Sequence, residues 1–173
     1  MCGIIAVLSR RDRRIPPTAA ELSTLLATAH DSVATDPAGA ASALSAVDKA
    51  LRGVPGVIAL TNEVELVDSI IATLADIEDK VAELEAEVEF GTRHDDAAVI
   101  ALRDALWAIG RDRIRTAEEV HALADGASED SVNGYLSIQR ALSALDRLEV
   151  RGRDSAGIHV MVSDHGFAVD DPF

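Results

Sequence analysis

Between Val67 and Val88 the apolar residues fall at Val67, Ile70, Leu74, Ile77, Val81, Leu84 and Val88. The gaps alternate between three and four, which is the spacing of a heptad seam on one face of a helix. The intervening positions, "DIEDKVAELEAEVE", carry most of the charge. Only about three heptads are present, so an antiparallel hairpin inside a bundle explains the seam better than an extended parallel coiled coil. Aromatic residues make up 3% of the chain against 48% hydrophobic residues in all. The core must therefore be built from Ala, Leu, Val and Ile, which suits helix against helix.

Signals for further helices flank this segment. Thr18 and Glu21 form a capping box at the head of "AAELSTLLATAHDSVA". Asp36-Pro37 starts a second helix, with proline at its first position, that runs through alanine-rich sequence to Gly53. "GVPG" reads as a loop, and the seam helix is expected from about Thr61 to Phe90. "GTRHDD" breaks it before "AAVIALRDALWAIGRDRI". Thr116 and Glu119 read as a second capping box opening a short helix, and Ser128 caps a final long one ending near Glu149. The basic clusters Arg10–Arg14 and Arg111–Arg115 each contain an Asp and read as solvated loops.

The two chain ends have a different character. Residues 3–8, "GIIAVL", are apolar and β-branched, and "GIHVMV" and "FAV" follow the last helix around the turn "SDHG". The expected class is α+β, mostly helical. Short antiparallel strands come from the two ends, and a helical bundle over 15–127 is inserted between 1–14 and 128–173. Acidic residues outnumber Lys and Arg by 30 to 16, for a net charge of −14. Such a chain repels phosphate backbones and anionic lipid, so neither a nucleic acid nor a membrane is an expected partner. No apolar run approaches a membrane span, the single cysteine forms no internal disulfide, and no signal peptide is recognisable, so the expected compartment is the cytoplasm. The five histidines show no metal-ligand spacing and there is no glycine-rich nucleotide loop, so no metal or cofactor is expected.

The single cysteine is Cys2, followed by Gly3. A thiol at the first residue after methionine removal can use its own α-amine, with a pKa near 7.7–8.0, as general base. With Met1 in place that amine is tied up as a peptide bond. At the other end, "LEVRGRDSAGI" over 148–158 sits at a helix-to-strand junction. There Arg151 offers a permanently charged fork suited to a carboxylate.

Taken together, "MCGI" and "LE-RG-DSAG" resemble the class II glutamine amidotransferases, the N-terminal nucleophile family. Within it they are most similar to the glutaminase domains of the glucosamine-6-phosphate synthases. The resemblance covers residues 2–8 and about 134–169. It implies that Cys2 is the nucleophile attacking the side-chain amide of glutamine, with its freed α-amine as base. Arg151 and Gly152 would form part of the substrate pocket. It implies glutamine as substrate, and a sugar phosphate, fructose 6-phosphate, as acceptor of the ammonia. Val150 and Arg153 stand where the family usually has tyrosines, and the helical segment 15–127 has no counterpart in it. The family's later motifs, "TRWATHG" and "HNG", do not occur in the chain. The chain therefore reads as the N-terminal piece of a larger amidotransferase, itself inactive because the oxyanion-hole donors lie elsewhere. The alternative is a helical interaction module, one route to a homo-oligomer, carried on a non-catalytic amidotransferase remnant.

Overall fold

A computed structural model describes residues 4–10, 12–89, 96–124, 128–149 and 157–161. Seven α-helices occupy most of them: α1 (Ala19–Ser32), α2 (Pro37–Ala50), α3 (Gly53–Asn62), α4 (Val64–Glu89), α5 (Asp96–Trp107), α6 (Arg115–Ala124) and α7 (Glu129–Glu149). A π-helical segment, Ala108–Ile114, joins α5 to α6 without a break.

The helix starts follow local chemistry. The Thr18 hydroxyl accepts from the Glu21 amide at 3.2 Å, and the Glu21 carboxylate accepts from the Thr18 amide at 2.8 Å, completing the capping box. Asp36 accepts from the Gly39 amide ahead of Pro37, and Ser128 accepts from the Ser131 amide.

The helices form two groups. Helices α1, α2, α5 and α4 pack in that order around a closed ring, each against the next and α4 back against α1. Helices α3, α6 and α7 pack against one another, and the π segment touches both groups. The heptad seam of α4 is the inner wall of the ring. Ile70, Leu74, Ile77, Val81 and Leu84 are buried, and Val67 and Val88 are half-buried at its ends. They meet the Leu22, Leu26, Ala29 and Val33 stripe of α1 and the Val99, Leu102 and Leu106 stripe of α5 within one core. Polar ties fix the register at the rim. Arg103 of α5 grips Glu85 of α4, and Lys80 of α4 lies 2.9 Å from Nε2 of His30 and donates to its carbonyl at 3.0 Å. Among the described residues, no helix is long and apolar enough to cross a membrane.

Three expectations are corrected. "GVPG" is the first turn of α3, not a loop. Proline is tolerated there because its missing N–H would have no intrahelical acceptor. Gly53 makes the turn with φ +76°, a left-handed conformation that glycine adopts without penalty. A Cβ on Gly56 would lie 1.9 Å from the Leu51 carbonyl oxygen, so that approach requires glycine. Second, Thr116 opens no helix, because α6 continues from the π segment. Ile109 and Ile114 are both buried though five residues apart. That spacing is about 140° around an α-helix, and the wider π turn brings both inward.

Third, no strand occurs among the described residues, so the α+β expectation gives way to a helical architecture. Residues 4–8 and 157–161 fall within the expected strands but belong to no ladder. Ile4 and Leu8 are almost fully exposed, and Ile158, Val160 and Met161 are exposed as well. A strand is held by hydrogen bonds to a neighbour. Here the helices cover one another's apolar faces, and no described sheet edge receives these segments. The expected strand "FAV" lies outside the described residues.

Truncating Ile77 to Ala in the fully buried seam should lower unfolding free energy by about 2–5 kcal/mol. The same change at Ile71, exposed on α4, should cost less than ~0.5 kcal/mol. Urea denaturation of the two variants checks this, and equal losses would show that the seam does not face the core.

Candidate functional site

Cys2, the expected nucleophile, and Arg151 and Gly152, the expected pocket residues, lie outside the described residues. The described structure meets their two segments at one point. Ser9, downstream of Cys2, donates its hydroxyl hydrogen to Asn133 Oδ1 on α7 at 2.6 Å, and α7 is the helix that leads toward Arg151.

The polar centre of the described structure is elsewhere, at the junction between the helix groups. Asp48, on the inner face of α2, is the one buried charged residue among those described. An isolated carboxylate there would be costly to desolvate. Two arginines hold it: Arg113 from the π segment donates through Nε to Oδ1 at 2.8 Å, and Arg52 donates through Nε to Oδ2 at 3.0 Å. Arg113 is largely buried and Arg52 largely exposed. The cluster at 111–115 is therefore no solvated loop. It forms part of a helix and carries the ion pair that ties α2 to the π segment.

The first basic cluster also has a structural task. Arg14 donates to the carbonyls of Lys49 and Arg52, at and just beyond the end of α2. The Lys49 carbonyl, in the last turn of α2, also accepts the Arg52 amide at 3.4 Å, the Arg52 carbonyl lies beyond that helix, and the cation complements the negative end of the dipole. Asp12 orients Arg14 through a carboxylate–guanidinium contact of 2.7 Å and accepts its backbone N–H at 3.0 Å. These hydrogen bonds hold the Asp12 carboxyl below its ordinary pKa. Gly53 lies directly beneath, where a Cβ would meet both side chains at 3.0 Å.

Beside this network, a cavity of about 190 Å³ opens between α3, the π segment, α6 and α7. Arg113, Arg140, Thr116, Ser143, Asp112 and Gly53 contribute to its wall. Arg140, on α7, is exposed and makes no hydrogen bond or ion pair among the described residues. Desolvation, followed by the like charge of Arg113, pulls its pKa below the ordinary guanidinium value, while Asp12 acts weakly in the opposite direction. No group of three or more potential metal-ligating side chains occurs among the described residues. No motif in the sequence singles out Asp48 or Arg140, and Arg113 falls in the cluster expected to be a solvated loop. The available signal was an Asp with an Arg four residues on, Asp48 and Arg52, within an otherwise apolar helix face.

No protein-family model, curated protein or solved structure matches the chain.

Replacing Asp48 with Ala removes the carboxylate to which Arg113 is hydrogen-bonded. It should destabilise the fold by about 3 kcal/mol or more, the cost of breaking one side of a buried pair. Arg52→Ala, at the exposed end, should cost about 1 kcal/mol or less. Chemical denaturation separates the two. The Asp12 clamp should respond to acid. Because its carboxyl is depressed in the folded state, its contribution is complete above the unfolded value near 3.9 and is lost as pH falls through the folded value. Asp12→Asn should therefore flatten the acid limb of the stability–pH curve below about pH 4. An unchanged limb would show that Asp12 does not couple to folding.

Proposed function

We propose that the full-length protein is a cytoplasmic glutamine amidotransferase that hydrolyses glutamine through Cys2 and passes the ammonia to a sugar phosphate, fructose 6-phosphate. The observation that carries this reading is the pairing of "MCGI" at the N-terminus with "LEVRGRDSAG" after the last long helix, in that order. The α-amine of Cys2, freed by loss of Met1, takes the thiol proton, and Sγ attacks the side-chain amide carbon of glutamine. The tetrahedral intermediate collapses to a γ-glutamyl thioester as the amine returns the proton and ammonia leaves. Water then attacks the thioester, releasing glutamate and restoring the thiol. Arg151 and Gly152 line the pocket, with the Arg151 fork beside the nucleophile and the substrate.

The contact between Ser9 and Asn133 supports this reading through reach. From Ser9 back to Cys2 an extended chain covers up to about 24 Å at ~3.4 Å per residue. From Asn133 to Glu149 the helix rises about 24 Å at 1.5 Å per residue. The upper limit of the first segment matches the rise of the second, so the chain is long enough for the two segments to meet beyond their shared anchor. In this reading, the helices between 15 and 127 form a module set between the two halves of the pocket.

The test is glutamate release from glutamine by the full-length protein, purified with Met1 removed. Cys2→Ser should reduce turnover to background, and so should a form that retains Met1. Hydrolysis that survives Cys2→Ser would overturn the reading.

A further inference from the structure

We propose that the cavity between α3, the π segment, α6 and α7 is a binding site for a compact phosphate-bearing anion, gripped by Arg113 and Arg140. It lies apart from Cys2 and Arg151 in sequence and does not depend on the amidotransferase reading.

Charge is the first observation. The protein carries a net charge of −14, yet two arginines line one small cavity. Arg113 shares the carboxylate of Asp48 with Arg52, so one carboxylate answers two cations there. Asp112 adds a carboxylate to the wall, 4.0 Å from Arg113 Nη1. Asp12 is engaged by Arg14. Arg140 has no hydrogen-bonded anion among the described residues and stands close enough to Arg113 to be disfavoured by it. A cation kept near a like charge, partly desolvated and accessible from solvent, is balanced when an anion enters.

The second observation is the donor set. Arg140 presents the full guanidinium fork, and Arg113 keeps the donors that Asp48 does not use. Thr116 and Ser143 add hydroxyls on the same wall. Two arginines and two hydroxyl residues on the walls of one cavity offer together more donors than a two-oxygen carboxylate can accept. They suit the three terminal oxygens of a phosphoryl group. The volume of about 190 Å³ limits the ligand to phosphate or a short phosphate monoester. The walls are ordered before binding, because Arg113 is fixed by Asp48 and Gln139, next to Arg140 on α7, bonds Glu119 of α6.

The test is calorimetric titration of the protein with inorganic phosphate at constant ionic strength, repeated with glycerol 3-phosphate and with acetate. Phosphate should bind saturably and raise the melting temperature, while acetate should do neither. Tighter binding of glycerol 3-phosphate than of phosphate identifies a monoester as the occupant, and the reverse order identifies free phosphate. Arg140→Gln removes one fork without touching the Asp48 pair. It should weaken binding by about tenfold to a hundredfold, with unchanged circular dichroism and a melting temperature in phosphate-free buffer no lower than that of the parent. Arg140→Lys, which keeps the charge but not the fork, should fall between them. Absence of saturable phosphate binding, equal binding by Arg140→Gln, or equal stabilisation by acetate would each overturn the proposal. None of these readouts requires glutaminase activity, so failure here and failure of the Cys2 reading are distinguishable.

Discussion

The carboxylate of Asp48 is the interaction on which the arrangement of the two helix groups turns. Everything else in the core is non-directional. Leucine, valine, isoleucine and alanine bury apolar area with little preference for one helix register over another, and with few aromatics there are few large shapes to key the packing. A buried charge is different, because it tolerates only arrangements in which its partners reach it. Arg113 reaches Asp48 only if the π segment lies against the end of α2. That contact sets where α5 ends and where α6 departs. The pair adds little net stability over an apolar substitute, but it penalises the alternatives heavily, and this helical core lacks other means of choosing among them.

The π segment follows from the same constraint. A helix leaving the four-helix ring must bury both Ile109 and Ile114 while turning Arg113 toward Asp48. An α-helix places residues five apart on different sides. The wider π turn relieves that conflict at the cost of poorer backbone hydrogen bonding. Next to it, Gly56 lets α3 close against the Leu51 carbonyl, and Arg14 donates to carbonyls at and just beyond the end of α2. Each device removes a local obstacle to bringing α2, α3 and the π segment to one point.

What could be read from the sequence was what depends on neighbours along the chain. The seam of α4 and the caps at Thr18, Asp36 and Ser128 are set within a few residues, and the structure has them where the pattern puts them. The first turn of α3 was misread because its glycines and proline are loop formers in isolation. What fits them to a helix start is the close approach of the Leu51 backbone to Gly56, five residues along the chain, a backbone contact that leaves no side-chain pattern to read. The polar centre was missed for a stronger reason. Asp48 and Arg113 are 65 residues apart, and nothing local to either marks it as a partner of the other. The strands failed in the opposite direction. "GIIAVL" and "GIHVMV" carry strand composition, but composition describes a side-chain preference, and a strand is a relation between two backbones. The expected nucleophile and the two expected pocket residues lie outside the described residues, so motif alone speaks for them.

Arg113 belongs to two environments at once. Its Nε holds Asp48 and through it the junction of the two helix groups, while other atoms of the same residue line the cavity that Arg140 shares. The like charge of Arg113 disfavours the charged form of Arg140, and Asp48 fixes Arg113 in its place. A phosphate between the two arginines offsets that like charge with attraction on both sides. Its binding free energy is then added to the stability of the junction, because the unfolded chain has no such pair to offer. The converse holds by the same linkage: loosening the junction, as by loss of Asp48, frees Arg113 and weakens the anion site even though Asp48 repels the ligand by charge. Simple electrostatics gives the opposite sign, tighter binding when a nearby carboxylate is removed. The ordering of Arg113 outweighs that term because the carboxylate is already neutralised by two guanidinium groups at hydrogen-bonding distance.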